Sequence, residues 1–301
     1  MPIHLAPISR RKFLARSVIG ATGLALGNQL FAARKRTDPN FWALFSDIHL
    51  AADPSLVARG VNMKEHFQSA SAELLGMDTR PAGFFVCGDC AYNSGETGDY
   101  STVKETLEPI RAGQIPVHLA LGNHDNRERF WDALKEPDSR PFPSRQTALI
   151  RSSRVNWFIL DSLEKTLSTP GLIGGQQLAW LAKSLDQERH KPAIVMVHHN
   201  PGMLENIGGL KDTARFRDII QPRKQVKVCI YGHTHAWHVE QDASGLHWVN
   251  LPPVAYVFRP TDPSGWVSAK VNRDSLRLEF HALDKNHRAH GEIYDLAWRK
   301  A

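Results

Sequence analysis

Five short stretches of the chain collect the side chains that could do chemistry. They are D-I-H at 47–49, G-D at 88–89, G-N-H-D at 122–125, H-H at 198–199 and G-H-T-H at 232–235. Imidazole with carboxylate and one amide oxygen suits Mn, Fe, Zn, Co or Ni, and does not suit an all-oxygen calcium site. In D-I-H and H-T-H the candidate ligands stand two apart, so on an extended segment both side chains leave one face. Glycines 88, 122 and 232 let the main chain turn close to an ion, since they carry no Cβ. The donors are too many for one four-coordinate ion. Two ions about 3.5 Å apart, bridged by one carboxylate, would use them all.

The elements that must deliver these groups are legible as an alternation. Apolar runs at 41–46, 83–88, 115–122, 156–161, 193–198 and 226–231 read as strands. Helices are expected at 62–76, near 100–112, at 175–188 and near 211–220. In the third of these Leu178, Leu181 and Leu185 form one apolar stripe, a core face. Beyond His238 the character changes to short β segments with turn signals at 242–245 and 272–275. Strand-helix units followed by a β-rich part from about residue 239 predict an α/β fold in which one sheet covers another. Each chemical stretch then falls at a strand end, where open α/β sheets bind ligands. Any one of them could be a capped turn or a packed core histidine; five at five strand ends are not explained that way.

In this order, D-x-H, G-D, G-N-H-D, H-H and G-H-x-H resemble the calcineurin-like (binuclear) metallophosphoesterase superfamily over roughly residues 41–240. The resemblance implies a two-sheet α/β/β/α sandwich with the metal site at the C-terminal ends of the strands. It implies that Asp47, His49 and His235 hold one ion, that Asn123, His198 and His233 hold the other, and that Asp89 bridges them. His124 corresponds to a histidine that assists the transferring phosphoryl group, with Asp125 orienting its ring. H-H-N-P departs from the commoner H-H-P, which leaves His199 as the competitor of His198. Tyr92 stands where the purple acid phosphatase branch has a ligating tyrosine, but His49 should fill that coordination position. The stretch L-I-G-G-Q-Q-L-A-W-L at 172–181 is similar to the phosphodiesterase branch. The activity implied is hydrolysis of a small-molecule phosphate ester, here read as a diester, by a hydroxide shared between two divalent or trivalent transition ions.

Other readings are open to the same residues. Protein serine/threonine phosphatases carry an arginine soon after G-D, and G-D-C-A-Y-N-S-G has none. A phosphomonoesterase would need extra cations for its dianionic substrate, and Arg127 and Arg129 are the candidates. A non-catalytic exported metal-binding protein could dispense with His124 and Asp125, and both are present. Loops 91–102 and 138–147 and the stretch 250–258 are expected to shape the pocket. His238 and His247 could line it too, while His118, His281, His287 and His290 read as packing or surface residues.

Charge and cysteines bound the rest. The net charge of +6 comes from 37 basic and 31 acidic residues. Seven of the basic and none of the acidic residues lie in 1–36, which leaves 30 against 31. The excess is therefore local and argues for no nucleic-acid partner. S-R-R-K-F-L at 9–14 followed by the apolar run 17–27 resembles a twin-arginine export signal, too short for a stable membrane span. That implies a leader over 1–33 cleaved near Ala32–Ala33, use of the machinery that exports folded proteins, a periplasmic location, and one catalytic domain over 38–301. Cys87, Cys90 and Cys229 are too few for a disulfide scaffold. Cys87 and Cys229 are expected to pack as small apolar residues on neighbouring strands, and Asp89 between Cys87 and Cys90 argues against a redox pair.

Overall fold

From Phe41 to Phe45 every residue is buried, with Phe41, Ala43 and Phe45 in one core cluster and Trp42 and Leu44 in another. A strand covered on both faces needs such an unbroken apolar run, and this one is the centre of the molecule. The computed structural model describes residues 4–5, 35–134, 141–202 and 208–300. The strands are β1 (His4–Leu5), β2 (Thr37–Phe45), β3 (Val57–Ala58), β4 (Val61–Asn62), β5 (Arg80–Val86), β6 (Val117–Leu119), β7 (Ala148–Arg151) and β8 (Asn156–Leu160). They continue as β9 (Ala193–Val197), β10 (Val226–Tyr231), β11 (His238–Gln241), β12 (His247–Asn250), β13 (Gly265–Val271), β14 (Ser275–Ala282) and β15 (Ile293–Ala297). The helices are α1 (Met63–Gly76), α2 (Thr97–Thr106), α3 (Glu108–Ala112), α4 (Arg127–Leu134), α5 (Gly175–Gln187) and α6 (Thr213–Ile220).

Seven strands form one sheet in the order β1-β6-β5-β2-β13-β14-β15, and six form another in the order β11-β12-β10-β9-β8-β7. Trp42, Phe85 and Phe280 of the first sheet pack with Trp157, Met196 and Ile230 of the second. The outer face of the first sheet is covered by Phe67 and Leu74 of α1, Val103 of α2 and Phe130 of α4. The outer face of the second receives Leu178, Leu181 and Leu185 of α5 and Phe216 and Ile220 of α6. Burying each of those leucines contributes about 2 kcal/mol before entropy is counted. The architecture is the expected α/β/β/α sandwich.

Three expectations change. The helix near 100–112 is two helices, because Pro109 lacks an N–H and fits only a first turn. The β-rich part does not make a layer of its own. Strands β11 and β12 extend the second sheet beside β10, while β13 to β15 extend the first beside β2. Cys87 and Cys229 are buried free thiols but not on neighbouring strands: Cys87 lies between the sheets, Cys229 under α5 and α6. The twin-arginine stretch lies outside the described residues; His4–Leu5 pair antiparallel with β6. Among the described residues no helix is long and apolar enough to cross a membrane.

Candidate metal centre

Strands β2, β5 and β6 run parallel to one another in the first sheet, and β9 and β10 do so in the second, so within each sheet their C-terminal ends share one edge. There the chain leaves the strands abruptly. Asp47, His49, Asp89, His233 and His235 all have left-handed backbone, with φ between 43° and 69°. Two-apart ligands on extended chain is therefore not the geometry of D-I-H or H-T-H; both pairs sit in turns. Left-handed backbone costs an L-residue about 1–2 kcal/mol, and such strain gathers at functional sites. The turns are braced by Asp47 N–H and His49 N–H, which donate to the carbonyls of Gly88 and Asp89 at 3.2 and 3.0 Å. A Cβ at Gly122 would lie 2.1 Å from Asp89 Oδ1, and one at Gly88 2.4 Å from His198 Nδ1. These glycines are fixed by the crowding of the Asp89 and His198 side chains.

The hydrogen bonds assign the ring nitrogens. Nδ1 of His49 lies 3.1 Å from the Tyr92 carbonyl, and Nδ1 of His235 lies 2.6 Å from the Tyr256 carbonyl. A carbonyl only accepts, so both Nδ1 atoms carry hydrogen, and in the neutral rings both Nε2 atoms then carry lone pairs. Those two Nε2 atoms are 3.1 Å apart. Two lone pairs do not bond each other; a cation between them reconciles the contact. His198 repeats the pattern, with Nδ1 donating to the Cys87 carbonyl at 2.7 Å and Nε2 lying 3.3 Å from Asp89 Oδ2. The same Asp89 oxygen is 3.7 Å from His49 Nε2, so this carboxylate stands between the two histidines. His233 gives its Nε2 hydrogen to the Gly208 carbonyl, which leaves Nδ1 as its donor atom. The Oδ1 of Asn123 is buried with no partner. Three groups of donor atoms close enough to hold a metal result: Asp47 with His49 and His235, Asp89 with His198 and His233, and His49 with Asp89 and His124.

Electrostatics fit the same use. Burial lowers His49 and His233 to about 4, so both are neutral at neutral pH and each has a lone pair to offer a cation. Burial works against the ionised forms of Asp47 and Asp89, yet their histidine neighbours outweigh it and hold both carboxylates ionised, Asp47 down to about 2. Burial also opposes charge on His198, and there Asp89 and Asp47 prevail, raising it to about 9. The pocket demands positive charge.

Residues 43–237 match the calcineurin-like phosphoesterase family. The chain belongs to that family. It is similar to a protein named probable cyclic nucleotide phosphodiesterase from Synechococcus sp., 27% identical over 80% of this chain and 92% of the relative. It is also similar to the 3′,5′-cyclic adenosine monophosphate phosphodiesterase CpdA of Escherichia coli strain K12, 23% identical over 79% of this chain and 88% of that one. A dimetal phosphatase from Danio rerio shares the fold, with a TM-score of 0.69 and 14% identity, covering 87% of this chain and all of that one. This calcineurin-like phosphoesterase is therefore an enzyme that hydrolyses phosphate esters, of a metal-dependent family.

The remaining candidates of the phosphoesterase sort by contact. His124 is half-buried, its Nδ1 2.7 Å from the Asn93 carbonyl, and its main-chain N–H donates to Asp89 Oδ1 at 2.8 Å. Asp125 does not orient it. Its carboxylate accepts from the N–H groups of Gly122, Cys90 and Ala91 and from Tyr100 Oη, tying the G-D loop to G-N-H-D. Burial, with Asp89 adding to it, raises Asp125 to about 7 against those bonds. His199 is bonded to Ser162 at 2.7 Å and belongs to none of the three donor groups, unlike His198. Arg127 forks onto Asp161 at 2.8 and 3.0 Å, and Arg129 pairs with Glu96 at 2.7 Å. Tyr92 contributes its carbonyl to His49, and its side chain, like that of Tyr256, packs against the cluster of Ala51, Met63 and Ala255. His238 lies on the surface against Glu240, and His247 is held by the Ala297 carbonyl. His118 packs at a tilt against Phe85 and His281 stacks on Trp266, as packing residues. Of the expected pocket stretches, 250–258 supplies Tyr256 and 91–102 supplies Asn93, whereas Gln146 of 138–147 serves Asp161; residues 138–140 lie outside the described part.

Proposed function

We propose that this phosphoesterase hydrolyses phosphodiesters at a pair of ions that share Asp89. Asp47, His49 and His235 would hold one ion, and Asn123, His198 and His233 the other. The observation that carries this reading is the contact of the His49 and His235 lone pairs, with Asp89 set between His49 and His198. Bound there, two transition ions would offset the phosphate's negative charge and supply an acidic water as nucleophile. The chain's own contribution to bond breaking is His124. The Asn93 carbonyl holds its Nδ1 hydrogen, so in the charged ring the Nε2 hydrogen is the one free to pass to the leaving oxygen. The ring then returns to its neutral form without turning.

Charge supports the diester. A monoester dianion calls for cations beyond the ions, and Arg127 and Arg129 are both committed to carboxylates. Relatives named as cyclic nucleotide and glycerophosphodiester phosphodiesterases point the same way. The test is hydrolysis of bis(p-nitrophenyl) phosphate beside p-nitrophenyl phosphate, on protein stripped with chelator and reloaded with manganese. Restored cleavage of the diester with the monoester slow is the expected result; a preference for the monoester overturns it. Export by the twin-arginine route belongs to the same proposal, supported by Arg10, Arg11 and the apolar run that follows. Replacing both arginines with lysine should hold the protein in the cytoplasm.

A further inference from the structure

Outside the donor groups, a cation stands beside the centre with nothing among the described residues to neutralise it. Phe258, 42% exposed, stacks on His235 with ring centroids 4.1 Å apart and planes at 13°. Tyr256 packs against both His49 and His235 at 5.0 Å. The Arg59 guanidinium lies 5.0 Å from the Phe258 centroid and 5.7 Å from that of Tyr256. It is thus one aromatic ring removed from a ligand histidine. Among the described residues no carboxylate or carbonyl pairs with it. Its backbone is a second, independent signal. Arg59 (φ 50°) and Gly60 (φ 83°) are the two turn residues between β3 and β4, both left-handed as a type I′ turn requires. Asn, Asp or Gly favours the first of these positions, and an arginine is held there at a conformational cost.

A guanidinium held over aromatic rings keeps its N–H donors available, and these grip phosphate or carboxylate. Phe258 intervenes between Arg59 and the ligand histidine, so Arg59 faces the part of the substrate that projects beyond the reacting phosphate. The geometry points to Arg59 as a specificity residue that selects phosphodiesters whose organic arm carries a further anionic group. This rests on the diester reading above.

A matched pair of substrates isolates the effect: thymidine 5′-(p-nitrophenyl phosphate) with and without a 3′-phosphate. The manganese-loaded enzyme should favour the 3′-phosphorylated ester in kcat/KM by about tenfold, the worth of one charge-assisted hydrogen bond at the surface. Arg59→Gln should bring that ratio close to one, and Arg59→Lys should keep part of it. Raising salt from about 0.05 to about 0.5 M should erode the preference in the unmutated enzyme, because an exposed pair is screened. An unchanged ratio in Arg59→Gln, or a ratio in the unmutated enzyme that ignores salt, overturns the assignment while bis(p-nitrophenyl) phosphate turnover leaves the diester reading standing. If the unmutated enzyme cleaves neither that diester nor the thymidine esters, the diester reading fails and the Arg59 assignment falls with it.

Discussion

Two buried polar clusters lie close together in this molecule and are built on opposite terms. Around Asp161 both carboxylate oxygens are answered: Arg127 forks onto them, and the N–H groups of Gln146 and Leu163 donate at 2.8 and 3.0 Å. Gln177 closes the network through the Asp161 main chain at 3.0 and 2.7 Å. At the strand ends the opposite holds. Lone pairs of His49 and His235 face each other, Asn123 Oδ1 has no donor, and two carboxylates share the pocket. A buried polar group without a partner costs about 1–3 kcal/mol, so a fold keeps such a cluster only where something outside the chain completes it. The first cluster is complete in itself; the second has the donor atoms to hold metal ions.

The sharpest way to break this contrast is Asp89→Asn. Loss of the shared carboxylate should lower turnover about a thousandfold or more and abolish the two-ion stoichiometry. In metal-free protein the same change should lower the melting temperature, because the ionised Asp89 is held by its histidine neighbours and supports the charge on His198. Chelator should lower the melting temperature of the unmutated enzyme and leave that of the variant unmoved. Retention of two ions per chain would refute the bridging role. Asp161→Asn should spare the ions. Stripping the charge that answers Arg127 should destabilise by about 3 kcal/mol in chemical denaturation, with ion content intact. Equal effects of the two substitutions on ion content would erase the distinction.

His124→Ala tests a residue on the border of the second cluster. Turnover should fall about a hundredfold while both ions stay bound, because the ring donates a proton and is not counted among the ligands. Loss of an ion would move His124 into the ligand set, where its grouping with His49 and Asp89 already allows it.

How far the sequence carried this picture depends on the kind of contact. Strand ends were legible because apolar runs stop at Ser46, Cys87, Leu121, Val197 and Tyr231, and the polar residue that follows each run is plain to see. What holds each histidine ring was not. The partners are main-chain carbonyls of Tyr92, Tyr256, Cys87, Gly208 and Asn93, and a carbonyl has no residue type to signal it. Asp125 shows the same blindness: adjacency to His124 suggested a side-chain pair, while the turn aims its carboxylate at three N–H groups. Arg59 and Phe258 meet across 199 positions of chain, a distance at which no local pattern speaks. The sheet assignment of β13 to β15 was hidden for a related reason, since antiparallel strands can join any open edge whose face is apolar.

The smallest effect comes from a third polar group that lies far from the chemistry. Glu73 accepts from Trp266 Nε1 at 3.1 Å and Lys285 Nζ at 2.8 Å, with His281 at 3.4 Å, linking α1 to the strands of the first sheet. Burial opposes its charge, but His281, Lys285 and Trp266 outweigh it and hold the carboxyl down to about 2. A carboxyl whose folded value is depressed stabilises the fold above its unfolded value and loses that contribution as pH falls toward the folded one. The melting-temperature difference between the unmutated protein and Glu73→Gln should therefore be complete above about pH 5 and shrink steadily toward pH 2. Because Glu73 is partly exposed, the full difference should amount to only about 1 kcal/mol. Its measurement on metal-free protein matters, since there the ions cannot contribute. A gap that instead widened on acidification would mean the carboxyl is bound in its neutral form, and the ion-pair account of this cluster would be wrong.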